Sequence, residues 1–455
     1  MNKTTLTRTL VENFRALDYA SLPPEAIEIS KQVMLDGLAV TIAGATEPLG
    51  IGRITTAYVR DTGGAPQATV IGGGFKAAMP DAAYANGTMG HALDFDNTWF
   101  PLNHPTSPTL PAILAIAEYH RLPGKTIIES IVTAFEVQAR LRLAATGLRP
   151  GLRFHKPGTT GTFGATAAAS RLLDLNEEQT LMALGLAGSR ASSISLNTGS
   201  MTKSSHSGHG ARMGVECALL ARMGWTASAD VFGRKGFFDT FMPGDAEPEL
   251  LIRDFARPLR MVHPGVGFKK HPCNYQTHRA IDAALALRRE FGIQPAHIDR
   301  VQIVFSDFHH LNRPQPRSGL DGKQSVQYTT AIALLDGEVT VDSFTNERRY
   351  APDVVDMLAK ISFFPDPSID PEFDVTHNIV NIWLKDGRQV TKRVDHISGW
   401  VGYPLSREER IAKFFACTRR LLNGKSANRM LHLVERLETL SDVTELMDIA
   451  RCDPV

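Results

Sequence analysis

Cysteine is scarce: the 455 residues hold four, Cys217, Cys273, Cys417 and Cys452, all far apart. They build no CxxC pair and no zinc-finger spacing, which excludes a disulfide scaffold and leads us to expect a reducing, cytoplasmic setting. An excess of one charge is also lacking, since 49 basic residues against 48 acidic ones leave a formal charge of +1. That balance does not give the electrostatic footprint of a nucleic-acid binder. Long apolar runs are missing as well; no window approaches the roughly 18 residues of a membrane span. The opening MNKTTLTRTLVENFRALDYA carries charges where a signal peptide is apolar, so no leader is expected. Internal repeats and low-complexity linkers are absent from the sequence. What remains is ordinary for a globular enzyme: 43% hydrophobic and 21% charged residues, in a chain long enough for two or three domains.

The first 270 or so residues read as helices. Pro23-Pro24-Glu25 opens a segment that runs to Ala43 and stops at Gly44. Further helical stretches cover Leu110 to Tyr119, Ile127 to Leu143, Asn176 to Ala187 and Gly210 to Met223. Between them GTFGATAAASRLL, from Gly161, is dense in small residues that let helices approach closely. The texture changes near Pro264. A helix at Thr277 to Phe291 precedes strand-like Arg300 to Phe305, and two strand-like runs flank Asp386-Gly387, a strong hairpin signal. Ser406-Arg407-Glu408-Glu409 is a capping box that starts a last helical stretch. The expected organisation is a helical domain over 1–265, an α/β domain over 266–400, and a helical return over 401–455.

Chemistry concentrates in Gly90-His91-Ala92-Leu93-Asp94-Phe95-Asp96-Asn97-Thr98 and the following His104-Pro105-Thr106. His91, Asp94, Asp96 and His104 could ligate a divalent metal, as in a metal-dependent hydrolase. They could equally form an acid/base set, in which a carboxylate fixes the tautomer of an imidazole. A polar loop that merely caps helices has the same composition. Ser200-Met201-Thr202-Lys203 matches an SxxK nucleophile motif, but no KTG follows. Lys203, crowded by Ser204, Ser205, His206 and His209, suits a substrate carboxylate or a developing negative charge. Lys269-Lys270-His271-Pro272-Cys273, ahead of Thr277-His278, could bind an anion at a helix start or be an exposed basic loop. Cys273 has no obvious base and reads as structural. Ile71-Gly72-Gly73-Gly74 lacks the spacing of a nucleotide loop and reads as a turn.

Taken together, GHALDFDNT at 90–98, His104-Pro105-Thr106-Ser107, His155 ahead of GTFGATAAASRLL, SMTKSSHSGHGARMGVECALLARMGWTA from 200, KKHPCNYQTHRAIDAAL from 269 and ALLDGEVTVDSFT from 333 resemble the MmgE/PrpD family. The segments keep their order along nearly the whole chain. The resemblance implies a mainly α fold: a large all-helical domain built from both chain ends, plus a smaller α/β lid domain. It implies catalytic roles for Asp94, Thr98, His104, Lys203 and His278, and substrate contacts from His155, Lys270 and Lys203. Many relatives read DFDDTH where this chain has Asp96-Asn97-Thr98-Trp99.

The family includes 2-methylcitrate dehydratase, cis-aconitate decarboxylase and iminodisuccinate epimerase. Its shared step is proton removal next to a carboxylate, followed by loss of water, loss of CO₂ or reprotonation. The expectation is therefore a cofactor-independent, metal-free lyase acting on a small di- or tricarboxylate as a homodimer. A hydro-lyase of the 2-methylcitrate dehydratase type is the first expectation, with a decarboxylase or an epimerase as alternatives.

Overall fold

In the computed structural model, which describes residues 5–99, 103–145, 154–244 and 246–452, helices dominate. The chain divides into two compact units. One comprises residues 1–92, 96–268 and 406–455; the other comprises 93–95 and 269–405.

The helical unit is organised around α1 (Pro24–Ala45), α2 (Met79–His91), α3 (Leu110–His120), α4 (Gly124–Ala144), α5 (Lys156–Leu172), α6 (Glu177–Arg190) and α7 (Thr202–Arg222). Pro24 and Glu25 open α1, where a missing N–H costs nothing and a carboxylate meets the positive helix end. α7 packs against both α2 and α5, and it does so because its sequence is small. A Cβ on Gly208 would lie 2.1 Å from Thr88 Oγ1 and 2.4 Å from the Tyr84 carbonyl oxygen. A Cβ on Gly214 would lie 2.3 Å from the Ala165 Cβ. The Gly/Ala density is thus a close-packed helix centre. Leu10, Phe14, Leu141, Phe163, Leu184, Cys217, Phe232 and Phe237 form an adjoining apolar core. Gly72 to Gly74 lie in the turn between two-residue strands β1 (Ala68–Thr69) and β2 (Lys76–Ala77), as the motif spacing implied.

The α/β unit carries α8 (His278–Phe291) and α9 (Val326–Asp336) with four strands, β3 (Ile298–Phe305), β4 (Ile361–Pro365), β5 (Asn378–Leu384) and β6 (Gln389–Val394). The strand order is β4-β3-β5-β6. β3 and β4 are parallel, with Val301 opposite Ile361, while β5 runs antiparallel to both β3 and β6. Burial alternates along β5, as a sheet covered on one face requires. Ile303, Phe305, Val380 and Ile382 meet Ala280, Ile281, Ala284 and Leu287 of α8 in one core. Asp386-Gly387 turns β5 into β6, with Gly387 at φ 89° in the left-handed region that favours glycine.

The chain then returns to the helical unit as α10 (Arg407–Thr418), α11 (Gly424–Glu435) and α12 (Thr444–Arg451). The Ser406/Glu409 capping box starts α10. α10 packs on α1, where Lys413 Nζ lies 2.6 Å from Asp36 Oδ1 with both side chains buried. Among the described residues no helix is long and apolar enough to cross a membrane.

Candidate active site

Helix ends assemble a polar cluster inside the helical unit. His91 is the last residue of α2, His155 is the N-cap of α5, and Lys203 and His206 sit at the start of α7. Asp96, His104 and Ser107 come from the segment between α2 and α3. Four imidazoles lie in a row. Ring centroids are 4.6 Å apart for His104 and His91, 5.4 Å for His91 and His155, and 5.1 Å for His155 and His206. His155 Nδ1 and His206 Nδ1 are 3.1 Å apart, so one donates and the other accepts.

Asp96, fully buried, ties the row together. Its Oδ1 lies 2.9 Å from His91 Nδ1, and its Oδ2 lies 3.2 Å from His104 Nδ1 and accepts from Ser107 Oγ at 2.7 Å. Burial alone would raise this carboxyl; His104 and His91 outweigh it and hold it well below the usual carboxylate range. Burial pushes His91 down to about 4, with Lys203 and His104 adding to the effect and Asp96 opposing it. At neutral pH His91 is therefore neutral and donates from Nδ1 to an ionised Asp96. Its Nε2 then carries the lone pair, buried and without a hydrogen-bond partner among the described residues. Burial also pushes His206 down to about 4 and His155 well below its ordinary value, and Lys203 contributes to both. Neutral imidazoles beside a lysine make a positive site suited to an anion.

The same loop is anchored from behind. Asn97 Nδ2 points to Asp36 Oδ2 at 3.5 Å, and Thr106 Oγ1 donates to Asn97 Oδ1 at 2.8 Å. Thr98 exchanges backbone hydrogen bonds with Gly267, at 2.9 and 2.7 Å, while its buried hydroxyl has no partner among the described residues. Trp99 is core, packed edge-on against Phe135 at 5.1 Å.

A second polar group lies in the α/β unit. Lys269, 1% exposed, donates to Asp94 Oδ1 at 2.7 Å, to the Asp94 carbonyl at 2.8 Å and to the Cys273 carbonyl at 3.1 Å. Gln324 Nε2 donates to Asp94 Oδ2 at 3.3 Å, and Asp94 sits at φ 51°. His278, at the start of α8, is fully buried between the rings of His271 and Tyr275, with centroids 5.1 and 4.7 Å away. Burial, then His271 and Lys269, hold it well below the ordinary imidazole range. Cys273 is buried against Thr277 Oγ1 and its thiol is pushed up to about 12, so it is inert.

Comparison with known proteins decides what this arrangement belongs to. The MmgE/PrpD N-terminal domain matches residues 8–249 and the MmgE/PrpD C-terminal domain matches residues 271–439. The chain belongs to the MmgE/PrpD family. It is 32% identical over 433 residues to the cis-aconitate decarboxylase of Mus musculus, covering 92% of this chain and 88% of the relative. Identity to the Homo sapiens cis-aconitate decarboxylase is 30% over 463 residues, covering 98% and 94%. The 2-methylcitrate dehydratase of Salmonella typhimurium is 26% identical over 382 residues, covering 76% and 74%. Both names denote lyases.

Within this MmgE/PrpD chain the expected residues fall in two sets. His104, Thr98, Lys203 and His155 belong to the helical unit; Asp94, His278 and Lys270 belong to the α/β unit. Lys270 is exposed, and the buried lysine of that pair is Lys269. The four-ligand metal set is corrected: His91, Asp96 and His104 bring ligand atoms within 4.8 Å of one another, whereas Lys269 and Gln324 take up the Asp94 carboxylate. The carboxylate that faces His104 is Asp96. Sequence reasoning offered Asp96 both as a metal ligand and as a carboxylate of an acid/base set, without choosing between them, and gave Ser107 no role. The signal was the order His91…Asp96…His104-Pro-Thr-Ser107, whose parts close on one carboxylate once α2 ends at His91.

Proposed function

We propose that this lyase decarboxylates a small tricarboxylate of the cis-aconitate type. The two decarboxylase relatives match at higher identity and over more of the chain than the dehydratase. The expected hydro-lyase reading therefore gives way to the alternative.

The observation that carries the chemistry is the Asp96–His104 contact at 3.2 Å, with His104 partly exposed and Asp96 and His91 buried. A fixed carboxylate behind an imidazole stabilises the imidazolium, the form that can give up a proton. Decarboxylation of an unsaturated tricarboxylate needs that proton. The bond from carbon to the departing carboxylate breaks, its electron pair forms a new C=C, and the old alkene carbon takes one proton as CO₂ leaves. His104 donates the proton, and Asp96 positions it. Lys203 binds a carboxylate and opposes the charge that grows on the remaining ones. The Thr98 hydroxyl donates to a substrate oxygen. On the family resemblance, His278 is the second proton-transfer group and Asp94 a charged member of the site, its carboxylate held by Lys269 and Gln324.

The test is proton NMR of the product formed from cis-aconitate in D₂O. One deuterium per turnover at carbon, together with CO₂ release, supports the reading. Consumption with loss or gain of water alone refutes decarboxylation.

A further inference from the structure

Two imidazoles and one carboxylate converge on a single point of the helical unit. His91 Nδ1 lies 2.9 Å from Asp96 Oδ1 and 3.1 Å from its Oδ2, while His104 Nδ1 lies 3.2 Å from Oδ2. The two rings stand 4.6 Å apart, edge to face. One ligand atom of each residue lies within 4.8 Å of those of the other two, and among the described residues no other three side chains of ligand type converge in this way.

Zinc binds imidazole nitrogen and carboxylate oxygen at about 2.0–2.2 Å, which puts neighbouring corners of a tetrahedral site roughly 3.3 Å apart. The contacts at 2.9, 3.1 and 3.2 Å open by only a few tenths of an ångström for an ion to replace the protons shared there. The widest separation closes by rotation of His104, whose side chain is 15% exposed against 0% for His91 and 1% for Asp96. That exposed edge gives an ion its way in. The carboxylate is held from behind: Ser107 Oγ donates to Asp96 Oδ2 at 2.7 Å and lies 3.0 Å from Ser207 Oγ on α7, the outer support that orients a metal-binding carboxylate. Two nitrogen donors to one carboxylate suit zinc and its transition-metal neighbours, whereas magnesium and calcium take oxygen. Lys203, whose charge is felt at His91, works against a dication and keeps the ion exchangeable.

We propose that His91, Asp96 and His104 form an inhibitory site for a zinc-type divalent ion. A bound ion takes the Nδ1 lone pair of both imidazoles, leaves the ring protons on Nε2, and engages the carboxylate that otherwise supports the His104 imidazolium. The ion is an inhibitor and not a cofactor, because it occupies the groups that hold the proton. The inhibition rests on the proton-donor reading above; the binding does not.

Equilibrium dialysis of the full chain, first stripped with chelator, against Zn²⁺ measures the binding, and the visible d–d bands of Co²⁺ report the ligand geometry. One ion per chain is expected, with the cobalt spectrum of a four- or five-coordinate site. His91→Asn and His104→Asn are each expected to abolish stoichiometric binding at concentrations that saturate the wild type. Ser107→Ala is expected to weaken it by about 10- to 100-fold. His309→Asn, which removes an exposed imidazole 3.2 Å from Asp307, is expected to leave this ion in place. His104 is partly exposed, so His104→Asn decides the matter if His91→Asn does not fold. Zn²⁺ is also expected to suppress CO₂ release from cis-aconitate, and excess EDTA to restore it. A wild type that binds no stoichiometric zinc overturns the site, as does a folded His104→Asn chain that binds it as tightly as the wild type. Zinc held by these ligands with CO₂ release unchanged overturns the inhibitory role. If zinc binds through these ligands and cis-aconitate is not turned over even with EDTA, the site stands and the proposed reaction falls.

Discussion

Asp96→Asn separates a proton-transfer device from a buried structural carboxylate. The change is isosteric, and the structure specifies its consequence atom by atom. Oδ1 faces His91 Nδ1, while Oδ2 faces both His104 Nδ1 and Ser107 Oγ. With the amide oxygen kept toward His91, the amide nitrogen faces His104 and Ser107. Ser107 can adapt, because its hydroxyl can accept from the amide and donate to Ser207, 3.0 Å away. His104 cannot adapt without cost. Its Nδ1 must become the acceptor, which moves the proton to Nε2 and removes the carboxylate that stabilises the imidazolium. The expected loss in kcat is roughly 10²- to 10⁴-fold, the range for a general acid. Stability should fall by only about 1–3 kcal/mol, since weaker neutral contacts are offset by relief of a desolvated charge. The assay is CO₂ release from cis-aconitate by a variant whose circular dichroism matches the wild type. A folded Asp96→Asn enzyme within about threefold of wild-type kcat would refute the reasoning.

Other outcomes follow from the same geometry. Lys203→Ala should lower kcat by about 10²-fold as well as raise KM, because the charge it opposes grows in the transition state; a change in KM alone would make it only a binding residue. The His91 pKa lies near 4 in the folded chain against an ordinary 6.5, so the unfolded chain takes up the proton first as pH falls. Stability is then full above about pH 6.5 and is lost toward pH 4, by roughly 3 kcal/mol from His91, with His206 acting in the same direction. Urea unfolding midpoints that stay level across that window would contradict these assignments. Light scattering should give about twice the chain mass of 49.8 kDa for the proposed homodimer, and a monomer at micromolar concentration would exclude it.

Much of the fold was legible wherever local chemistry decides it. The Ser406 capping box, the Asp386-Gly387 turn and the α8 stretch all appear in the structure, because caps and turns act within a few residues. Helix starts rich in glycine or serine were less legible. α5 begins at Lys156 and α7 at Thr202, several residues ahead of the periodic signal. Pro157 at the second position and serines along the first turns read as loop, yet burial keeps them helical. For the site, residue types were readable and partners were not. Asp94 and Asp96 look equivalent in sequence, but a positive φ and Lys269 claim one, while His91, His104 and Ser107 claim the other.

The most direct test of the central claim compares two acids with one enzyme preparation. With chelator present throughout, CO₂ release from cis-aconitate and water loss from 2-methylcitrate are measured for the wild type, His104→Asn and His278→Asn. The account predicts CO₂ release by the wild type, a roughly 10²- to 10⁴-fold loss in folded His104→Asn, and a reduced rate in His278→Asn. Wild-type turnover confined to 2-methylcitrate, or near-normal CO₂ release by both folded variants, would contradict it.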